Sequence, residues 1–443
     1  ADELRRPLVV YEGLRLDYPW ASARLHRFVL EGMRDNAAEA RRFGLNYWPF
    51  VETQRAPARG LLARLASRAA LVVTDDFPCF VVPEQSQALA RRVTVPVWAV
   101  DSNGVVPLSL LQPAVSAAAH LRPRIHKAFA EAWRSRAAAR PRFSEAALAR
   151  VDAPFDLWAP PADLDAFVSS LPIDSSVAPV EETRGGVKAA RERLHSFVKD
   201  RLAGYAESRS EPAAPDAGHA SGLSPYLHFG HLSIEQVVAE VLATTGDWSP
   251  DDLHLDARGK REGFFTDDAD VNAFLDEALT WRDVGFQWHW TRRQDARSLD
   301  TALPGWALAT LRAHQRDARP FVYTPEEWEA AATHDPLWNA AQRELAATGV
   351  IHNYLRMLWG KKVIEWSRTP DEAYRTLEHL NNKYALDGRD PNSYTGILWC
   401  FGLFDRPWAP DRPVLGTVRY MSSDNTARKF RMKPYLAYVE SLA

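Results

Sequence analysis

Cysteine is almost missing from this chain. Its two thiols, Cys79 and Cys400, are too few for a disulfide framework or a cysteine metal cluster, so no bound metal is expected. Long apolar runs are missing as well. No stretch approaches the roughly 18 residues that a membrane span requires. The first residues carry no signal-peptide pattern, so the expected location is cytoplasmic in a bacterium, or otherwise intracellular. Charge of one sign is also scarce: 54 Lys and Arg against 57 Asp and Glu leave a net −3, so overall charge announces no nucleic-acid partner. Residues 351–443 lean basic, with 14 Lys and Arg against 10 Asp and Glu, which suits a mild basic face. The N-terminal part lacks a Gly-rich phosphate fingerprint and so offers no decisive nucleotide chemistry of its own.

Tryptophan, by contrast, is abundant. The 16 indoles of this 443-residue chain are several times an ordinary load. Most serve packing, and placement has to single out those that do more.

The opening part alternates between strand and helix signals. Apolar runs at 7–14, 45–52, 69–76 and 95–101 read as strands, with helical periodicity across 22–43, around 57–70 and near 85–92. Strands separated by helices predict a parallel sheet with right-handed crossovers. Residues 150–186 are rich in Pro, Ala, Asp and Ser, as a connector wrapping the surface would be. From Gly186 onward the pattern is helical almost throughout. The expected architecture is an α/β domain over 1–127, a helical and irregular linker over 128–186, and a large all-α domain over 187–443.

The most informative stretch is 334–366. His334-Asp335-Pro336 predicts a helix start with Asp335 at the N-cap and Pro336 at N1. Trp359 and Trp366 lie two turns apart on one face, roughly 10 Å along the axis, and Trp338 sits on the preceding helix. Such spacing is most often core packing; an electron relay requires indoles close in space. The loop LDGRDPN (386–392) concentrates turn residues and presents Asp387, Arg389 and Asp390 among apolar neighbours. Charges buried there must be paired or bound to a ligand, and Arg356, one turn from Trp359, is a natural partner.

At this point a resemblance becomes specific. HDPLWNAAQ (334–342), LRMLWGKKVIEW (355–366), LNNKYALDGRDPN (380–392) and VRYMSSDNTARKF (418–430) resemble, in order and spacing, signature blocks of class II cyclobutane pyrimidine dimer photolyases. SGLSPYLHFGHLS (221–233) resembles the family's flavin-binding block, and RPRIHK (122–127) one near the end of its antenna domain. The resemblance implies a Rossmann-like α/β antenna domain followed by an all-α FAD-binding domain. It further implies a monomeric, light-driven repair enzyme acting on cyclobutane dimers in DNA. In that chemistry excited FADH⁻ gives an electron to the dimer, its two inter-base carbon bonds split, and the electron returns.

The resemblance assigns Tyr205 and the turn Ser221, Gly222, Leu223 and Ser224 to the FAD pyrophosphate. It sets Asn381 beside the flavin, Arg356 and Asp387 as an ion pair near the ring, and Asp390 as a further contact. Glu277 and Trp281, at i and i+4, match the carboxyl and indole that meet the dimer; Trp399 and Met357 complete that pocket. Trp359, Trp338 and Trp366 match the class II route for reducing the resting flavin. Candidate DNA contacts are Lys361, Lys362, Arg428 and Lys429, with Arg282 taking over where Gln236 replaces an expected arginine. The opening ADELRRPLVVYEGL resembles the end of the first helix and the second strand of the antenna domain, so the sheet is expected to lack its first strand. An antenna pigment, deazaflavin-type or none, is left open. The competing reading is a cryptochrome-like FAD photoreceptor with little or no repair activity.

Overall fold

The computed structural model describes residues 1–55, 58–138, 141–213, 218–292 and 298–442. The four apolar runs form strands β1 (Val9–Leu14), β2 (Asn46–Val51), β3 (Val72–Asp75) and β4 (Val97–Val100). β1 lies parallel to β2, with Val9 opposite Asn46 and Leu14 opposite Val51. β3 lies parallel to β4, with Val72 opposite Val97. Parallel pairing is as expected, but the two pairs do not join: the single sheet is two two-stranded sheets.

Helix Ala23–Phe43 links the first pair. The Ser22 side chain accepts the Leu25 N–H, and the chain leaves through Gly44 in the left-handed region at φ 69°, a conformation that costs glycine nothing. Its inner stripe, including Leu30 and Met33, packs with Leu14 and Val51 and with Leu164 and Val168 from the connector. Part of the expected linker therefore completes the α/β core, because two short strands and one helix bury too little apolar surface by themselves.

The rest is one large helical body, whose core takes in residues from Val105 to Val439 together with Leu25 and Phe28 of helix Ala23–Phe43. Helix Ala118–Arg134 passes straight through the expected boundary at residue 127 and buries Leu121, Ile125 and Phe129 in that body. Two arginines fix the packing, Arg24 across the two parts and Arg122 inside the helical body. Arg24 donates to the backbone carbonyls of Ala178 at 2.9 Å, Tyr384 at 2.7 Å and Ala346 at 2.5 Å. Arg122, from RPRIHK, forks onto buried Asp276 at 2.6 and 2.9 Å, a bidentate geometry that fixes orientation as well as distance. No helix among the described residues is long and apolar enough to cross a membrane.

Candidate active site

A cleft of about 500 Å³ opens in the helical body. Five segments converge on it: Tyr205, the turn 221–224, the segment 274–284, helix Asn353–Trp366, and the loop leading into helix Pro391–Cys400.

One end is polar. Ser221, Leu223, Ser224, Arg356, Asp387, Asp390 and Ser393 line it. Gly222 sits at φ 67°, and a Cβ there would fall 2.5 Å from the Arg193 guanidinium; glycine lets that cation lie flat on the turn, where Arg193 Nε donates to the Ser221 carbonyl at 2.7 Å. Gly388 has a different reason. A Cβ would meet the Asn381 carbonyl at 2.5 Å, so the LDGRDPN loop can close on its helix only with glycine. That closure places Asp387 3.2 Å from Arg356. Burial alone would raise the Asp387 carboxyl, but Arg356 and the Ser224 hydroxyl outweigh it and hold the group below the ordinary carboxylate range. Asp390 caps the next helix by accepting the Asn392 N–H at 2.8 Å. Arg389 turns the other way, bonding the Asn382 carbonyl at 2.9 Å. Asn381 stands one layer behind the wall: its Oδ1 accepts from Ser393 Oγ at 3.1 Å, and Ser393 faces the cleft.

The other end is aromatic. Trp281 and Trp399 stack with ring centroids 5.2 Å apart and an interplanar angle of 24°, and Met357 and Glu277 complete the wall. Asp276–Trp281 is wound as a π-helix, a rare turn concentrated at functional sites. The expected i, i+4 α-helical pair is thus wound more loosely, yet both side chains still reach the cleft. Asp276 anchors this segment: it takes the Arg122 fork and accepts from Trp281 Nε1 at 3.2 Å. Glu277 accepts from Arg209 Nη2 at 2.6 Å. Its carboxyl is pushed up, chiefly by burial, against the pull of Arg209. Neither Arg209 nor Arg122 was legible in the sequence, because each finds its partner across the fold.

No known family model matches the chain. Relatives do. A deoxyribodipyrimidine photo-lyase of Methanothermobacter thermautotrophicus is 33% identical over 449 aligned positions, covering 100% of this chain and 89% of that protein. One from Oryza sativa is 34% identical, covering 94% and 78%, and one from Potorous tridactylus 30% identical, covering 93% and 71%. This chain belongs to the photolyase/cryptochrome family. Solved structures share its fold at low identity. A class III photolyase from Agrobacterium tumefaciens superposes with a TM-score of 0.64 at 17% identity, covering 98% of this chain and 80% of that one. A Synechocystis cryptochrome gives 0.67 at 16%, covering 98% and 82%. An α/β domain before a helical domain is the photolyase fold.

In this photolyase-family chain the tryptophans of 334–366 form a buried cluster. Asp335 caps its helix as expected, accepting from Leu337 N and Trp338 N at 2.9 and 3.0 Å. Trp338 and Trp359 lie parallel within 7°, with centroids 6.5 Å apart. Trp338 Nε1 donates to the Trp359 carbonyl at 3.1 Å, and Trp359 Nε1 to Gln342 at 3.0 Å.

Two of the expected DNA contacts, Lys361 and Lys362, need correction, whereas Arg282 lines the cleft and Gln236 is half-buried. Lys361 is 1% exposed, its ammonium bonded to the Cys400 carbonyl at 2.6 Å, and burial lowers its pKa to about 8. Lys362 is buried as well, paired with Glu365 at 2.6 Å. The helix that carries them is enclosed on nearly every side, so the two lysines have no solvated face to occupy. Arg282 points into the α/β interface, donating to the Asn103 carbonyl at 2.5 Å and lying 4.1 Å over the Phe286 ring. Gln236 bonds Glu240 on its own helix at 3.1 Å, while its neighbour Val237 lines the cleft. Arg428 and Lys429 remain exposed; the Lys429 ammonium lies 4.8 Å over the Tyr354 ring, next to cleft residue Asn353.

A second cavity, of about 610 Å³, lies between the strand pairs and the helical body, lined by Leu14, Thr74, Asp75, Phe229 and Arg389 among others.

Between helix Pro336–Thr348 and the C-terminal helix Met432–Glu440 lies one titrating group with a measurable consequence. Burial pushes Glu344 up to about 7, although Tyr435 donates to it at 2.7 Å. The folded state then binds a proton that the unfolded chain releases near the ordinary glutamate value of 4.5, so this group erodes stability as pH climbs from there towards 7. Glu344→Gln is expected to match the wild type in urea denaturation at pH 4 and to exceed it by roughly 1–3 kcal/mol at pH 8. An equal offset at both pH values would assign the effect to packing.

Proposed function

We propose that this chain is a class II photolyase that repairs cyclobutane pyrimidine dimers in DNA with light, using FAD held in the cleft. The observation that carries the reading is the parallel Trp281–Trp399 pair with Glu277 and Met357, in the same cleft as the Arg356–Asp387 ion pair. A flipped dinucleotide needs flat apolar walls and a few polar contacts, and this end supplies both.

The donor set at the other end fits FAD. The Ser221–Ser224 turn, made shallow by Gly222 and backed by Arg193, offers hydroxyls and a cation to a pyrophosphate. Tyr205 packs beside it. Arg356, Asp387 and Asp390 would hold the polar edge of a flavin ring, with Ser393, bonded to Asn381, beside them. When bound, FAD supplies light absorption and the electron that splits the dimer's two inter-base carbon bonds. The chain's own residues orient and exclude water: Trp281 and Trp399 wall the dimer, Met357 fills beside it, and Glu277, steered by Arg209, offers its carboxyl to a pyrimidine edge. Exposed Arg428 and Lys429 are the remaining phosphate contacts, whose contribution weakens with salt.

The test is direct. The reduced, FAD-loaded protein is mixed with thymine-dimer DNA and illuminated with blue or near-UV light. Thymine absorbance is expected to recover. A protein that binds FAD and photoreduces reversibly, yet restores no thymine, is a light sensor and not a repair enzyme.

A further inference from the structure

Trp328 had no place in the sequence reading, yet it stands where the relay needs it. The ring contacts of Trp338 are with Trp359 and Trp328; those of Trp366 are with Trp328, Tyr323 and His334. Trp328 meets Trp338 edge-on, with centroids 4.8 Å apart, and stacks on Trp366 within 10° at 6.2 Å. Its side chain is 2% exposed.

The indole is also held firmly. It rides on the short helix Pro325–Glu329, whose start is closed by a capping box between Thr324 and Glu327. The other end is pinned by Glu329, which takes His379 at 2.5 Å, Lys383 at 2.7 Å and Tyr384 at 3.2 Å. Two charged anchors on one short helix limit how far the ring between them can move.

We propose that Trp328 is a fourth relay residue, carrying electrons between Trp366 and Trp338. The inference rests on reading Trp359, Trp338 and Trp366 as the route that reduces the resting flavin. Trp359 would supply one electron to light-excited FAD. Trp338 then refills Trp359, Trp328 refills Trp338, and Trp366 refills Trp328. A thiol in solution returns an electron to Trp366, loses its proton to water and becomes a thiyl radical, so the electron gained at the flavin equals the one lost by the thiol. Each hop from indole to indole runs between neighbouring rings. The Lys362 ammonium lies 5.3 Å over Trp366, but its pairing with Glu365 at 2.6 Å offsets most of its repulsion towards a positive hole there.

The experiment is flash photolysis of the FAD-loaded protein in the presence of a thiol, with transient absorption following the tryptophan radicals. Trp328→Phe keeps a buried aromatic ring but removes the oxidisable indole; flavin content and melting temperature check that it folds. Loss of the long-lived radical and of steady-state photoreduction is expected. Trp366→Phe gives a second reading that leaves Trp328 untouched: the hole should stop at Trp328 and outlive the one in Trp328→Phe, which stops at Trp338. If Trp328→Phe behaves as wild type while Trp338→Phe blocks photoreduction, or if Trp366→Phe and Trp328→Phe decay alike, Trp328 is packing and the proposal falls. If Trp359→Phe and Trp338→Phe both photoreduce normally, the relay reading falls as well, and that outcome is distinct.

Discussion

Arg356→Ala is expected to yield a protein that purifies without flavin colour and melts well below the wild type. Asp387 is held ionised in a largely buried position by Arg356 and the Ser224 hydroxyl. Removing the guanidinium leaves a carboxylate with one neutral partner in a low-dielectric pocket. Breaking a buried pair in this way costs about 3–5 kcal/mol, more than a hydrogen bond to Ser224 restores. Arg356 also donates to Ser393 at 3.3 Å, and Ser393 holds Asn381, so three cleft residues lose their register together. The measurement is flavin absorbance per mole of protein with a thermal melt. Arg356→Met with Asp387→Leu separates the two effects: removing both charges is expected to recover most of the melting temperature and none of the flavin. If the single variant retains full flavin, the pair is structural only.

Trp281→Ala is expected to weaken binding of dimer-containing DNA by about 10- to 100-fold, because base–aromatic stacking contributes roughly 1–3 kcal/mol per base. Binding of undamaged duplex should be nearly unchanged, since phosphate contacts supply non-specific affinity. Trp399 then lacks its stacking partner, and Asp276 loses the indole N–H it accepts at 3.2 Å. The Arg122 fork still holds Asp276, so the π-helical segment keeps its anchor. Affinities for damaged and undamaged DNA, measured side by side at two salt concentrations, decide the matter. An equal loss for both would show that the indole supports the fold and not the lesion pocket.

Local chemistry was legible wherever it decides local structure. Strands β1 to β4 follow the four apolar runs, Asp335 and Pro336 start their helix, and Gly388 sits in the tight loop that the LDGRDPN composition predicts. The cleft residues Glu277, Trp281, Met357, Trp399, Arg356 and Asp387 were named from blocks of sequence, and all line one cavity. The failures share one cause. Lys361 and Lys362 read as a solvated face because a Lys pair on a helix usually is one; only the packing of helix Asn353–Trp366 inside the body buries them. Arg282 and Gln236 also have partners that position did not reveal, the Asn103 carbonyl and Glu240, although Arg282 still lines the cleft.

Trp328 is the clearest case of information that the chain order does not carry. It lies ten residues before Trp338 on a different short helix, with no periodic relation to Trp359 or Trp366. Its contact with two of them arises because Glu329 is clamped by side chains some 50 residues downstream. The sequence alone determined where strands, caps and turns form and marked out residues that line one cleft, because the local structure depends on neighbours along the chain. Tertiary structure decided which charges are buried, which arginines pair with Asp276 and Glu277, and which indoles touch, because burial and ring contact depend on distances between segments that the chain brings together only when it folds.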